Sequence, residues 1–110
     1  MPKIAVIAST LLCGILLAQT PAGNPENGKR LFDQFACYNC HGRLGQGTVA
    51  GPRLGPRPLP VAALIAYVRK PTAQMPPFTE KVISDAQLTD IRAYLASVPD
   101  AAKDPPLLKQ

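Results

Sequence analysis

The sequence of 110 residues has no tryptophan, a single histidine and three cysteines. One of those cysteines, Cys13, falls inside an N-terminal run, residues 4 to 18, that carries no charged side chain: "IAVIASTLLCGILLA". What is left for chemistry is Cys37, Cys40 and His41, all within the stretch "FACYNCHGR". This scarcity excludes a good deal. A structural zinc site takes four ligands, typically Cys and His, and no Cys or His follows His41, so carboxylates would have to complete the set. Aromatic residues make up 5% of the chain and no nucleic-acid-binding motif is present, so nucleic acid is not an expected partner. With 13 prolines and no convincing strand pattern, little of the chain can be regular sheet.

The uncharged run follows Lys3 and gives way to a polar stretch bearing proline and glycine. That is the layout of a secretory signal peptide, expected over residues 1–18 with cleavage after Ala18 or as late as Ala22. Fifteen residues fall short of the roughly 17–25 that a membrane span needs. Membrane contact is expected only if the segment stays uncleaved. Leu12 is too bulky before Cys13 for a lipoprotein cut, so Cys13 reads as a small apolar residue of the run. The mature chain of about 90 residues is one domain, over 23–98, and so short a chain buries only a small core. A bulky, covalently held apolar group would supply core that the sequence lacks. Residues 99–110 read as a flexible Pro/Lys/Asp-rich tail. The formal net charge is +5, and its bases concentrate between residues 42 and 81: Arg43, Arg53, Arg57, Arg69, Lys70 and Lys81 face Glu80 alone. Such a segment suits an acidic protein partner steered electrostatically.

Three helices are expected. Asn24-Pro25 reads as an N-cap followed by proline at the first helical position, and Gly28, Leu31, Phe32 and Phe35 then share one face. A glycine on that face costs about 1 kcal/mol against alanine, which close approach of another helix would compensate. Residues 42 to 60 hold five glycines and four prolines and read as loop. Pro60 opens a second helix, "VAALIAYVRK", with Val61, Leu64, Ile65 and Val68 on one face, and Pro71 stops it. "TAQMPPFTEKVI" is irregular. Ser84 with Gln87 forms a capping box for a third helix, whose face is Leu88, Ile91, Leu95 and Val98 and whose end is set by Pro99.

Cys-x-x-Cys serves dithiol redox, half of a zinc site, or covalent haem attachment. A thioredoxin-like dithiol sits at a helix N-terminus in a strand–helix pattern, where the helix end lowers the thiol pKa. Here the pair ends a helical pattern and strands are missing. A histidine directly after the second cysteine selects the third chemistry: two thiols tether one haem, and His41 reaches its iron from the proximal side. One axial position remains. Met75 is the only methionine after the N-terminal run, lies in a proline-stiffened loop and offers a soft thioether that raises the potential of a His/Met haem. Its alternative role is core filler.

At this point the chain resembles the class I monohaem c-type cytochromes over about residues 24 to 98. "GKRLF" matches their first-helix Gly-x-x-x-aromatic pattern, "CYNCH" the attachment site, "GPRL" the Gly-Pro-x-Leu loop, "MPPF" the distal loop and "IRAYL" the final helix. The resemblance implies an all-α fold with three main helices and long Pro/Gly loops wrapped around one covalent haem c. It implies that Gly28 and Phe32 meet Tyr94 where the first and last helices cross, and that the Pro52 carbonyl accepts a hydrogen bond from the His41 imidazole. Arg53, Arg57 and Tyr67 are placed by it near haem propionates or the methionine side. Arg43 gets no fixed role, and could face a partner, a propionate or water. The expected function is that of a monomeric periplasmic one-electron carrier docking acidic redox proteins. Two other readings are a dedicated electron-transfer subunit of a dehydrogenase or oxidase complex, and a haem enzyme or ligand sensor with a displaceable sixth ligand. Met75 and the lack of a distal histidine argue against the last.

Overall fold

The computed structural model describes residues 22–100, together with Pro2. The expected signal segment, Cys13 within it, and the tail from residue 101 lie outside the described residues. Four helices follow one another: α1 (Pro25–Gln34), α2 (Tyr38–His41), α3 (Val61–Arg69) and α4 (Asp85–Ser97). Among the described residues there is no strand, only an isolated bridge between Thr48 and Gly51.

α1 starts where the capping chemistry requires. The Asn24 side chain accepts from the amides of Glu26 at 3.0 Å and Asn27 at 3.1 Å, with Pro25 at the first helical position. α4 starts on a capping box: Gln87 N donates to Ser84 Oγ at 3.1 Å, and Ser84 N donates back to Gln87 Oε1 at 2.9 Å. Val98 is extended before Pro99, so the helix stops one residue short of it. α3 ends at Arg69 before the Lys70-Pro71 pair. Three helices are thus those read from periodicity, and α2, a single turn, is an addition.

α1 and α4 cross face to face. The crossing centres on Gly28, where a Cβ would sit 2.9 Å from Tyr94 Cβ and 2.5 Å from the Asp90 carbonyl carbon. No side chain fits there, which accounts for glycine on a buried helical face. Phe32 and Tyr94 meet beside it with ring centroids 5.6 Å apart, a tilted pairing of the favourable kind. Asp90 clamps the start of α1 across the crossing, accepting from Asn24 N at 2.7 Å and Asn27 Nδ2 at 2.8 Å. α3 packs on α4, and the core joins Leu31 and Phe32 to Leu64, Val68, Ile83, Leu88, Ile91, Leu95 and Val98.

The long 42–60 loop has almost no internal ladder. It is held instead from α4: Tyr94 Oη donates to Arg43 O at 2.7 Å and Arg92 Nε to Leu59 O at 2.7 Å. The loop pinches on itself where Leu54 N and Gly55 N both donate to Gly45 O, at 2.7 and 3.2 Å. Arg69 ties α3 to the irregular stretch before α4, donating to Phe78 O at 3.0 Å and Asp85 Oδ1 at 2.6 Å. Asp100, in the segment expected as tail, pairs with Arg57 at 3.1 Å.

Candidate functional site

The link from α1 to α2 places the first cysteine. Cys37 N donates to Phe32 O and Ala36 N to Asp33 O, both at 3.1 Å, and Ala36 has φ +58°. This is a Schellman end, with Ala36 at the left-handed position usually given to glycine and Cys37 just beyond it. The motif turns the chain back over the helix end, so Cys37 packs against the core that contains Phe32. One turn later, α2 delivers Cys40 and His41.

The carbonyls of this segment are taken up by the loop that follows. Gly47 N donates to His41 O at 2.8 Å, and Thr48 Oγ1 donates to Cys40 O at 2.5 Å. His41 is the one buried polar or charged side chain among the described residues. Its Nδ1 lies 2.8 Å from Pro52 O. A carbonyl only accepts, so Nδ1 carries the proton and Nε2 is left with the free lone pair. Gly51 stands against the ring, where a Cβ would come within 3.1 Å of both Nδ1 and Cε1.

Cys37, Cys40, His41 and Met75 line one cavity of about 930 Å³, and Pro52, Arg53 and Tyr67 line it with them. That volume is near the top of the range for a small-molecule site, about 300–1,000 Å³. Its walls are apolar, with Phe32, Phe35, Leu64, Val68, Phe78 and Leu95 from the helices and loops around it. Met75 is half-buried in the 70–84 loop and packs on the edge of the core. Phe35 and Phe78 meet edge to face with centroids 6.5 Å apart, joining the cysteine-bearing segment to the methionine-bearing loop across the cavity.

The Cys37 thiol is poorly suited to exchange chemistry. Burial pushes the Cys37 thiol up to about 11, and the Asp33 carboxylate adds to the rise. A thiol protonated at neutral pH is a poor nucleophile and a poor metal ligand. Paired soft sulfur groups, an imidazole with its tautomer set and a thioether around one apolar cavity make a donor set that fits a tethered haem.

All seven sequence-expected site residues therefore stand around one space, and Arg57 joins them on its rim. Arg43 does not. Its guanidinium lies 4.7 Å over the ring of Tyr38, the first residue of α2, a cation–π contact. Sequence reasoning met Gly51 only as part of the Gly-Pro-x-Leu loop and passed over Thr48. A Gly-Pro pair was the only signal for the first, and a threonine in a loop is no signal for the second.

The family model described as cytochrome C oxidase, cbb3-type, subunit III, matches residues 23–95. The "4-cresol dehydrogenase [hydroxylating] cytochrome c subunit" of Pseudomonas putida is 36% identical over 107 residues, covering 94% of this chain and 90% of that protein. No solved structure matches the chain significantly.

Proposed function

Because the chain belongs to the monohaem c-type cytochromes, it carries covalently bound haem c and transfers electrons, and from that premise we propose how it does so and for whom. Cys37 and Cys40 would tether the haem, and His41 and Met75 would hold its iron. The protein is a periplasmic one-electron carrier that serves as the dedicated cytochrome subunit of a dehydrogenase. The observation that carries the ligand reading is the single cavity that brings the Cys-x-x-Cys-His segment and Met75 together. The partner reading rests on likeness to a dehydrogenase's cytochrome subunit along nearly the full length of both chains. The uncharged segment after Lys3 supports export.

When bound, the haem supplies a one-electron couple between ferric and ferrous iron. The residues around it do the rest. Pro52 O holds the His41 ring by its Nδ1 proton, which fixes the orientation of the ring and raises the basicity of Nε2. Met75, on the same cavity, would offer the iron a soft donor, which favours the reduced state. An iron held by both side chains would offer small oxidants no open site. The apolar walls keep water away, so little solvent reorganises when the charge changes. Arg53 and Arg57 on the cavity rim suit the propionate carboxylates, Tyr67 borders the methionine side, and the basic 42–81 segment suits an acidic docking surface.

The test is a haemochrome spectrum with intact mass on the exported protein, together with the methionine–iron charge-transfer band of the oxidised state. One covalent haem, a cleaved N-terminus and that band are expected. Met75→Ala should abolish the band, lower the midpoint potential and admit cyanide or CO to the iron. An unchanged band in this variant would remove Met75 from the coordination sphere. Cys37→Ser should reduce or lose holoprotein, and full yield of normal holoprotein from this variant would count against the covalent attachment. Co-expression with a dehydrogenase subunit should give stable co-purification. A carrier that always elutes alone would count against the subunit role.

A further inference from the structure

We propose that Thr48 is a positioning residue that sets the strength of the Pro52–His41 hydrogen bond and through it the reduction potential. The inference rests on His41 being an axial ligand. Residues 48 to 51 form a tight reversal, with Thr48 N donating to Gly51 O at 2.9 Å and Gly51 N to Thr48 O at 3.4 Å. The Thr48 hydroxyl works in both directions at once. It accepts from Ala50 N at 3.0 Å within the reversal, and it donates to Cys40 O at 2.5 Å outside it. A hydroxyl is the smallest group able to do both.

The position of this reversal decides where the next carbonyl lies. Gly51 already touches the imidazole and the Cys40 carbonyl: a Cβ there would be 2.9 Å from Cys40 O and 3.1 Å from Nδ1. Pro52 follows with its φ fixed by the ring, so little freedom separates Gly51 from Pro52 O. The bond from Nδ1 to Pro52 O is 2.8 Å, and hydrogen bonds weaken as the donor and acceptor draw apart or tilt. The side-chain tie from the reversal to the haem-bearing segment is Thr48 to Cys40. Without it, the reversal is held to α2 by Gly47 N to His41 O, which lies on the far side of Thr48 from Pro52. Valine has the shape of threonine and makes neither hydroxyl bond. Thr48 is exposed, so its replacement opens no cavity in the core.

A weaker bond makes the imidazole a poorer electron donor and destabilises the ferric state. Thr48→Val should therefore raise the midpoint potential. A loss of about half a typical hydrogen bond changes the ratio of reduced to oxidised protein at fixed applied potential about threefold, equivalent to about 30 mV for one electron. The His41 ring proton should exchange faster with solvent by NMR. Thr48→Ser keeps the hydroxyl and should restore both readings. The methionine–iron band is recorded on every variant. If wild-type protein lacks the band or has no His41 ring-proton signal shifted by the iron, the ligand reading fails first. If the band is present and Thr48→Val leaves potential and exchange unchanged, the Thr48 proposal is overturned. Equal shifts in Thr48→Val and Thr48→Ser would also overturn it. Should Thr48→Val yield no holoprotein, Thr48→Ala carries the same readings.

Discussion

At the α1–α4 crossing, two helices bring their own starting caps, bury periodic apolar faces against each other and lock through Asp90. The 42–60 loop has none of these means. Its order comes from outside, through Tyr94 and Arg92 on α4 and Cys40 and His41 on α2, and from a few amides that pinch it at Gly45. The comparison shows a frame that carries itself and a wall that hangs on the frame. In a small domain with a modest core this division is economical. Loop backbone that faces a ligand is kept free of regular hydrogen bonding, and its carbonyls remain available to side chains such as His41.

Three substitutions test that division. The largest effect is expected from Gly28→Val, which drives a side chain into the Asp90 carbonyl. Overpacking of a buried contact costs about 3 kcal/mol, and a denaturant midpoint should report it. Frame and loop should fail together; a near-wild-type midpoint would mean that the crossing gives way at little cost. Tyr94→Phe keeps the ring on Phe32 and removes only the bond to Arg43 O. A loss of about 1 kcal/mol is expected, with faster amide exchange at Gly45, Leu54 and Gly55 and unchanged protection across α1 and α4. Uniformly faster exchange would show that the wall and frame are one unit. The smallest effect, and the one of opposite sign, belongs to Ala36→Gly. Relief of a left-handed alanine gains about 1–2 kcal/mol and the added chain freedom takes back about 0.5–1, so the urea midpoint should rise by the equivalent of about 0.5 kcal/mol. A fall would mean that the alanine methyl makes a contact worth more than its strain.

The frame was readable from sequence because caps and helical periodicity are local. Asn24-Pro25, Ser84 with Gln87, and the face of Leu88, Ile91 and Leu95 each say where a helix starts or which side it buries. α2 was not readable: it is one turn long, and the turn before it uses alanine where glycine or asparagine would have marked a left-handed residue. The cavity residues were readable from chemistry and from resemblance. The thiol spacing, the adjacent histidine, the distant methionine and the Gly-Pro pair each mark residues that the fold brings to that one cavity. The bonds from Thr48 to Cys40, from Tyr94 to Arg43 and from Arg92 to Leu59 were beyond reach. They join residues that have no shared motif, and their existence depends on the path of the loop. Arg43 shows the same limit, since its contact with Tyr38 depends on the turn of α2.

The clamp between Asn24 and Asp90 spans 66 positions of sequence. Synthesis runs from the N-terminus, so α1 has no partner until nearly the whole chain exists. The first helix made therefore waits for the last, and the loop that Tyr94 and Arg92 hold is among the final parts of the molecule to find its support.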